Sequence, residues 1–362
     1  MYEVTAKIQA DDGGLHAVCT VPLPVPAEVV WDAIATGEGI SSWYVPCALE
    51  PQVGGRIVQF ADPGAPDPTT GPEAAAEAML TATVGEITVF SPPAAGARGT
   101  FTYVERDWMG EGVPVPLWVT SCEVDDDNAA AGSTDTGGAG CLLRLRSGFD
   151  SGGQLAEEAV AGSLDGWAQA LTVLAHRLTH RPADGVVTVA AATDPVRASV
   201  PQMWERVMNA LVAPAAAVGA NPAGALAGSS TGGPGQGPGL TPGRGPGIGA
   251  VGRSGEVGGI VAVSSEASVT LILSSPVDGM LELFAFPAGE THEDAAGQAA
   301  LAARVFEYVD APDGGGRPLG AAAVDGVEPS WDAPRWRTWL EGLVADQVDG
   351  PVAGAAGGPV EG

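Results

Sequence analysis

Tyr103 and Glu105 are the two residues of this 362-residue chain whose types and spacing best suit acid–base work on a bound molecule. They stand two apart in a strand-like run, residues 99–105, so alternation puts a phenol and a carboxyl on one face. A solvent-exposed glutamate accounts for the same letters, and that is the preferred reading of Glu105. The other reactive side chains do not converge. The histidines are His16, His176, His180 and His292. His176 and His180 stand at i and i+4, a spacing that could ligate a metal, but no glutamate follows as in zinc hydrolases. A solvated helix end is expected there, and no metal site. There is no G-x-S-x-G, no P-loop lysine and no paired-carboxylate motif. Whether the chain is an enzyme stays open, and no cofactor is called for.

Two further patterns carry little. Cys19, Cys47, Cys122 and Cys141 include no C-x-x-C pair, which argues against zinc and thioredoxin-like chemistry. Reduced buried thiols are expected, although Cys122 and Cys141 lie in two runs that would form a hairpin and could come near each other. Gly247-Ile248-Gly249-Ala250-Val251-Gly252 has the letters of a dinucleotide fingerprint. It follows no strand pattern and opens no helix, so it reads as low-complexity sequence. The acidic run 125–128 lacks calcium-loop spacing and reads as a solvated turn.

Composition narrows the partners. There are 44 acidic residues against 16 basic ones, a net charge of −28, and Lys7 is the only lysine. Nucleic-acid binding is excluded, because it needs a basic face to displace counterions. No run approaches the roughly 18 apolar residues of a spanning helix, and residues 1–14 lack the apolar core of a secretory signal. A soluble cytoplasmic protein without membrane insertion is therefore expected. Length suggests two domains. With 53 glycines and 30 prolines, part of the chain must be loop. The stretch 214–259 is the main candidate for a disordered insert, with smaller loops at 61–76 and 125–140.

The elements that must position Tyr103 and Glu105 can be read between these breaks. A strand at 14–25 leads into a helix from Ala27, where Val30, Trp31 and Ile34 recur at helical spacing, and a short turn follows at 40–44. Strands are expected at 56–60, 80–90, 99–105, 117–124 and 141–149. In the last, Cys141, Leu143 and Leu145 face one way, and Arg144 and Arg146 the other. Val160, Leu164, Trp167, Leu171, Leu174 and Leu178 step by four and three, which marks a long amphipathic helix. Its apolar stripe needs the buried face of the preceding sheet.

These residues occur in an ordered set. Val25-Pro26-Ala27-Glu28-Val29-Val30-Trp31-Asp32-Ala33-Ile34 is followed by Trp43-Tyr44, then Val53-Gly54-Gly55-Arg56, then Gly85-Glu86-Ile87 with Pro92-Pro93, and then Gly166-Trp167. The set resembles the SRPBCC (START/birch-pollen-allergen-like) superfamily, in its branch similar to the C-terminal domain of the activator of heat-shock protein 90 ATPase. The resemblance covers about residues 15–182. It implies an α+β helix-grip fold, a curved antiparallel sheet around a long C-terminal helix, enclosing a cavity. The implied wall is Trp31, Trp43, Tyr44, Phe60, Phe101, Tyr103, Trp118, Leu143, Phe149, Trp167 and Leu171; taken singly, plain core is the preferred reading of each, and the cavity expectation concerns the set.

The second half reads as a decayed repeat. Met203-Trp204-Glu205-Arg206-Val207 mirrors Val30-Trp31-Asp32-Ala33-Ile34, and Trp336, Leu340, Leu343 and Gln347 repeat the helical spacing seen at Trp167. Strands are expected at 260–273 and 280–286, while 295–308 suits helix or strand. Two tandem helix-grip domains result, at 1–183 and, in degenerate form, at 184–349, with a flexible tail at 350–362. The main functional expectation is a non-catalytic intracellular binder of a hydrophobic small molecule, lipid or polyketide-like. The alternatives are a chaperone-associated module like the heat-shock activator, and a cyclase- or aromatase-like enzyme using Tyr103 and Glu105.

Overall fold

Hairpin-linked runs of alternating residues build two antiparallel sheets in this chain, and the fold is α+β. A computed structural model describes residues 4–11, 14–61, 71–94, 97–106, 117–125, 140–149, 154–181, 185–217, 247–251, 257–264, 267–288, 297–309 and 329–345. The first sheet holds β1 (Thr5–Asp11), β2 (Gly14–Leu23), β3 (Cys47–Leu49), β4 (Arg56–Gln59), β5 (Thr83–Ser91), β6 (Gly99–Glu105), β7 (Trp118–Asp125) and β8 (Cys141–Phe149). Their spatial order is β1-β2-β8-β7-β6-β5-β4-β3. The second holds β9 (Gly185–Ala192), β10 (Gly247–Val251), β11 (Val257–Ser264), β12 (Ser268–Ser275), β13 (Gly279–Pro287) and β14 (Ala299–Val309), in the order β10-β11-β12-β13-β14-β9. In both sheets the strand that precedes the first helix pairs with the strand that precedes the closing helix: β2 with β8, and β9 with β14.

The helices are α1 (Ala27–Ile34), α2 (Gly37–Ser41), α3 (Pro72–Ala78), α4 (Gln154–His180), α5 (Val200–Ala217) and α6 (Ala333–Ala345). Trp31 lies on α1 and Trp204 on α5, while Trp167 lies on α4 and Trp336 on α6. Pro26 opens α1, where its carbonyl accepts from the Val29 and Val30 amides and its missing N–H costs nothing. Thr36 caps α2 through a 2.9 Å bond from the Gly39 amide. Gly39 is required by close approach, since a Cβ there would run into the Asp32 and Ala33 carbonyl oxygens. This tight α1–α2 turn carries Trp43 back onto α1, where its indole N–H donates to the Ala33 carbonyl at 2.9 Å.

Helix α4 lies between the two sheets. Its inner side packs on β1, β2 and β8. Its outer side meets the second sheet: Gln169 donates to Ser268 and accepts from Thr270 at 3.4 Å, and His176 Nδ1 lies 3.2 Å from the Tyr308 hydroxyl. One buried cluster accordingly joins Leu171, Leu174 and Leu178 to Met280, Phe306 and Tyr308, while a second cluster lies between the far face of the second sheet and α5 and α6.

Several expectations need correction. β1 and β3 are additional strands, and residues 72–78 form α3 rather than loop, with Pro72 suited to the first helical position. The expected run at 260–273 is two strands, β11 and β12, paired as a hairpin. The ambiguous stretch at 295–308 contains a strand, because β14 finds partners on both edges. Of the expected insert at 214–259, helix α5 takes residues to Ala217, and β10 and β11 take Gly247–Val251 and the residues from Val257. The fingerprint-like glycines are therefore mainly an antiparallel strand, β10 paired on β11. Residues 62–70, 126–139, 218–246 and 346–362, which include the acidic turn, the rest of the insert and the tail, lie outside the described residues, as does His292. Cys122 stands opposite Leu145 and not Cys141, four residues or about 13 Å further along β8. All four cysteines are free thiols, and burial pushes Cys122 up to about 12. Among the described residues no helix is long and apolar enough to cross a membrane.

Candidate functional site

Strand β6 places the central residues. Its alternation turns Phe101, Tyr103 and Glu105 to the inner face of the first sheet, and both aromatic rings join the buried cluster there. Registration with β7 and β8 then lays out two rows. Tyr103 stands opposite Thr120, which stands opposite Ser147; Glu105 stands opposite Trp118, which stands opposite Phe149.

The first row satisfies itself. The Gln59 amide on β4 donates to the Tyr103 hydroxyl at 2.9 Å, and the Thr120 side chain bonds the same hydroxyl. Thr120 and Ser147 hydroxyls lie 2.8 Å apart, and the Trp118 indole N–H donates to Ser147 at 2.9 Å. Buried hydroxyls are expensive to leave unpaired, and this chain across four strands fixes the phenol of Tyr103. Tyr103→Phe is expected to cost ~1–3 kcal/mol by leaving the Gln59 amide without its acceptor, read as a lowered urea midpoint.

Glu105 is treated differently. It is 9% exposed, which overturns the surface-glutamate reading, and no hydrogen bond or ion pair holds its carboxylate among the described residues. Burial pushes its carboxyl up to about 7. Tyr103 is pushed well above the usual phenol range, chiefly by burial and then by the Glu105 charge, and Tyr44 is pushed up to about 12. Near neutrality the site thus presents one carboxyl that exchanges its proton and two phenols that keep theirs.

The expected wall is brought together in part. Trp31, Trp43, Phe101, Tyr103, Leu143, Trp167 and Leu171 share one cluster, with Tyr44 packed against it. Tyr44 stacks on Trp167 at 4.7 Å, tying the segment after α2 to α4. Trp118 and Phe149 pack edge to face at 4.8 Å in a neighbouring cluster with Val160. Phe60 is half-buried and belongs to none of the buried clusters; it follows Gln59, and Gln59 is the residue of β4 that reaches Tyr103.

Gln59, Thr120 and Ser147 were not expected from the sequence. The available signal was a polar letter at an inward position between apolar neighbours, as with Thr120 between Trp118 and Cys122. Among the described residues no group of three His, Cys, Asp or Glu side chains could hold a metal. His176 does not sit at a solvated helix end: its ring stacks on Tyr308 at 5.9 Å, and burial pushes it down to about 4.

No family model matches the chain, and no curated protein matches it. Among solved structures it is similar to CalU16 from Micromonospora echinospora at 17% identity, covering 50% of this chain and 76% of that one, with a TM-score of 0.32. It is similar to the di-domain ARO/CYC BexL from the BE-7585A biosynthetic pathway at 14% identity, covering 81% of this chain and 85% of that one, with a TM-score of 0.33. Protein Ms6760 from Mycobacterium smegmatis is 17% identical over 49% of this chain and 98% of its own, with a TM-score of 0.31.

Proposed function

We propose that the protein binds a hydrophobic small molecule, lipid or polyketide-like, on the inner face of its first sheet. Glu105 and Tyr103 fix the orientation of the ligand's polar groups there. The carrying observation is the Glu105 carboxyl, largely buried and held by no hydrogen bond or ion pair among the described residues, on the same strand face as the Tyr103 phenol that Gln59 holds. Burying the carboxylate charge destabilises the empty protein, and a ligand hydroxyl donating to it would offset that cost. The strand pairing also supports two tandem helix-grip units, at 1–183 and, in degenerate form, at 184–349, since in each sheet the strand before the first helix pairs with the strand before the closing helix, β2 with β8 and β9 with β14.

The test is a thermal-shift series with saturating fatty acids and hydroxylated polycyclic aromatics, on the wild type and Glu105→Gln. A binder at one hundred times its Kd should stabilise by ~2.7 kcal/mol. That gain should shrink in Glu105→Gln. No shift with any compound would contradict the proposal.

A second reading, a cyclase- or aromatase-like enzyme, is favoured by one feature: burial pushes the Glu105 carboxyl, on the same strand face as Tyr103, up to about 7, where a general acid–base works best. A Glu105→Gln protein that binds but no longer converts a poly-β-ketone model compound supports it, and unchanged turnover removes Glu105 from that role. The chaperone-associated alternative has only the sequence resemblance behind it.

A further inference from the structure

The second sheet has two chemically different faces. Leu281, Leu283, Ala303 and Val305 turn toward α5 and α6, while their alternates Met280 and Phe306 belong to the cluster of the first sheet and α4. Glu282 and Arg304 are paired in register and share the parity of Met280 and Phe306, so they lie on the face turned to the first sheet. Their side chains are 7% and 12% exposed, with Arg304 Nη1 3.1 Å from Glu282 Oε2. The guanidinium carbon lies 6.0 Å from the Tyr44 ring centroid and 5.8 Å from that of Phe284.

The segment that carries Tyr44 is held from the same side. The Ser41 carbonyl accepts from the Thr188 hydroxyl on β9 at 3.1 Å, and Ser42 accepts from Arg177 of α4. Trp43 is tied to α1, and Tyr44 is stacked between Trp167 and Arg304. The Tyr44 hydroxyl itself has no hydrogen-bond partner among the described residues, and Arg304, Glu105, Glu282 and Cys47 all act on it electrostatically. Packing alone does not explain a buried ion pair here, since apolar residues of similar volume usually fill such a place at no cost in stability.

We infer that the second sheet completes the first sheet's site: Arg304, tempered by Glu282, is a positioning residue that holds Tyr44 on Trp167 and sets which charge the site accepts beside Tyr44 and Glu105. The ligand group it favours is an acidic hydroxyl, phenolic or enolic, on an otherwise apolar molecule. This rests on the small-molecule reading above.

The test uses the full chain and the hydroxylated anthraquinone dye alizarin, whose visible absorbance reports its ionisation. The dye is titrated with pH when bound to wild type, Arg304→Met and Glu282→Gln. Removing Arg304 is expected to raise the bound dye's midpoint by roughly half a pH unit or more, and removing the Glu282 charge to lower it by a similar amount. A purely structural role would change affinity in both variants without moving the midpoint in opposite directions. Arg304→Lys keeps the charge and should return the midpoint toward wild type. If Arg304→Met does not fold, R304Q/E282Q leaves neither charge unpaired and should still show a smaller upward shift, because Arg304 acts on Tyr44 more strongly than Glu282 does. Dye that binds with shifts of one sign, or none, overturns the composite site alone. Dye whose spectrum is unchanged by the wild type overturns the small-molecule reading and this inference with it.

Discussion

Glu105→Gln is expected to stabilise the ligand-free protein at pH 8 while changing it little at pH 4. The carboxyl has an ordinary value of 4.5 and is raised to about 7 in the folded chain, with burial as the cause. Below pH 4.5 it is protonated in the folded and unfolded chains alike, and the burial cost is absent. Between 4.5 and 7 the unfolded chain releases the proton and the folded chain keeps it, so stability falls as pH rises. Above 7 the penalty is complete, at ~3 kcal/mol for a shift of this size. Glutamine carries no charge at any of these values. The difference between wild-type and variant urea midpoints should therefore grow from pH 4 to pH 8, and a difference that stays flat would show that burial does not raise Glu105. A side chain that weakens the empty protein at neutral pH and strengthens the liganded one is the signature expected of a binding group.

Trp336→Ala is expected to cost ~3–5 kcal/mol, the range for emptying a fully buried indole site. Trp336 is 1% exposed, with its ring 4.8 Å from Trp331 and 5.6 Å from Trp339. The mutation lies in the second unit, yet its effect should reach the first. Met280, Phe306 and Tyr308 share a cluster with Leu171 and Leu174, and α4 is enclosed by both sheets. Unfolding followed by tryptophan fluorescence and by far-ultraviolet circular dichroism should give coincident curves, shifted together by the mutation. Two separate transitions, with only one moved, would contradict a shared core.

Legibility in the sequence followed how strongly each element's burial is written in its own letters. The steps of four and three from Val160 to Leu178 placed α4, and β6 and β8 coincide with their alternating runs. β1 is almost wholly exposed and so carries no apolar alternation, and β3 has only three residues, too few to show a period. The outer side of α4 misled for the opposite reason. Gln169, His176 and Arg177 look like a solvated face, but the second sheet meets Gln169 and His176 and the segment after α2 meets Arg177, contacts that span about one hundred residues of sequence or more. Glu105 is the same problem in miniature: its position facing inward follows from alternation, but its burial is set by the packing of the folded chain, which its own strand does not show. Arg304 was beyond reach, since nothing in Ala-Arg-Val announces a partner on another sheet.

Native mass spectrometry of the full chain, before and after denaturation, tests the binding site most directly. The protein is first loaded with the fatty acids and hydroxylated aromatics of the thermal-shift series. The account predicts a complex carrying one apolar small molecule, released on denaturation and lost or strongly reduced in Glu105→Gln. A wild-type chain that retains none of these compounds, or a Glu105→Gln chain that holds them as tightly as the wild type, would contradict a site organised around Glu105 and Tyr103.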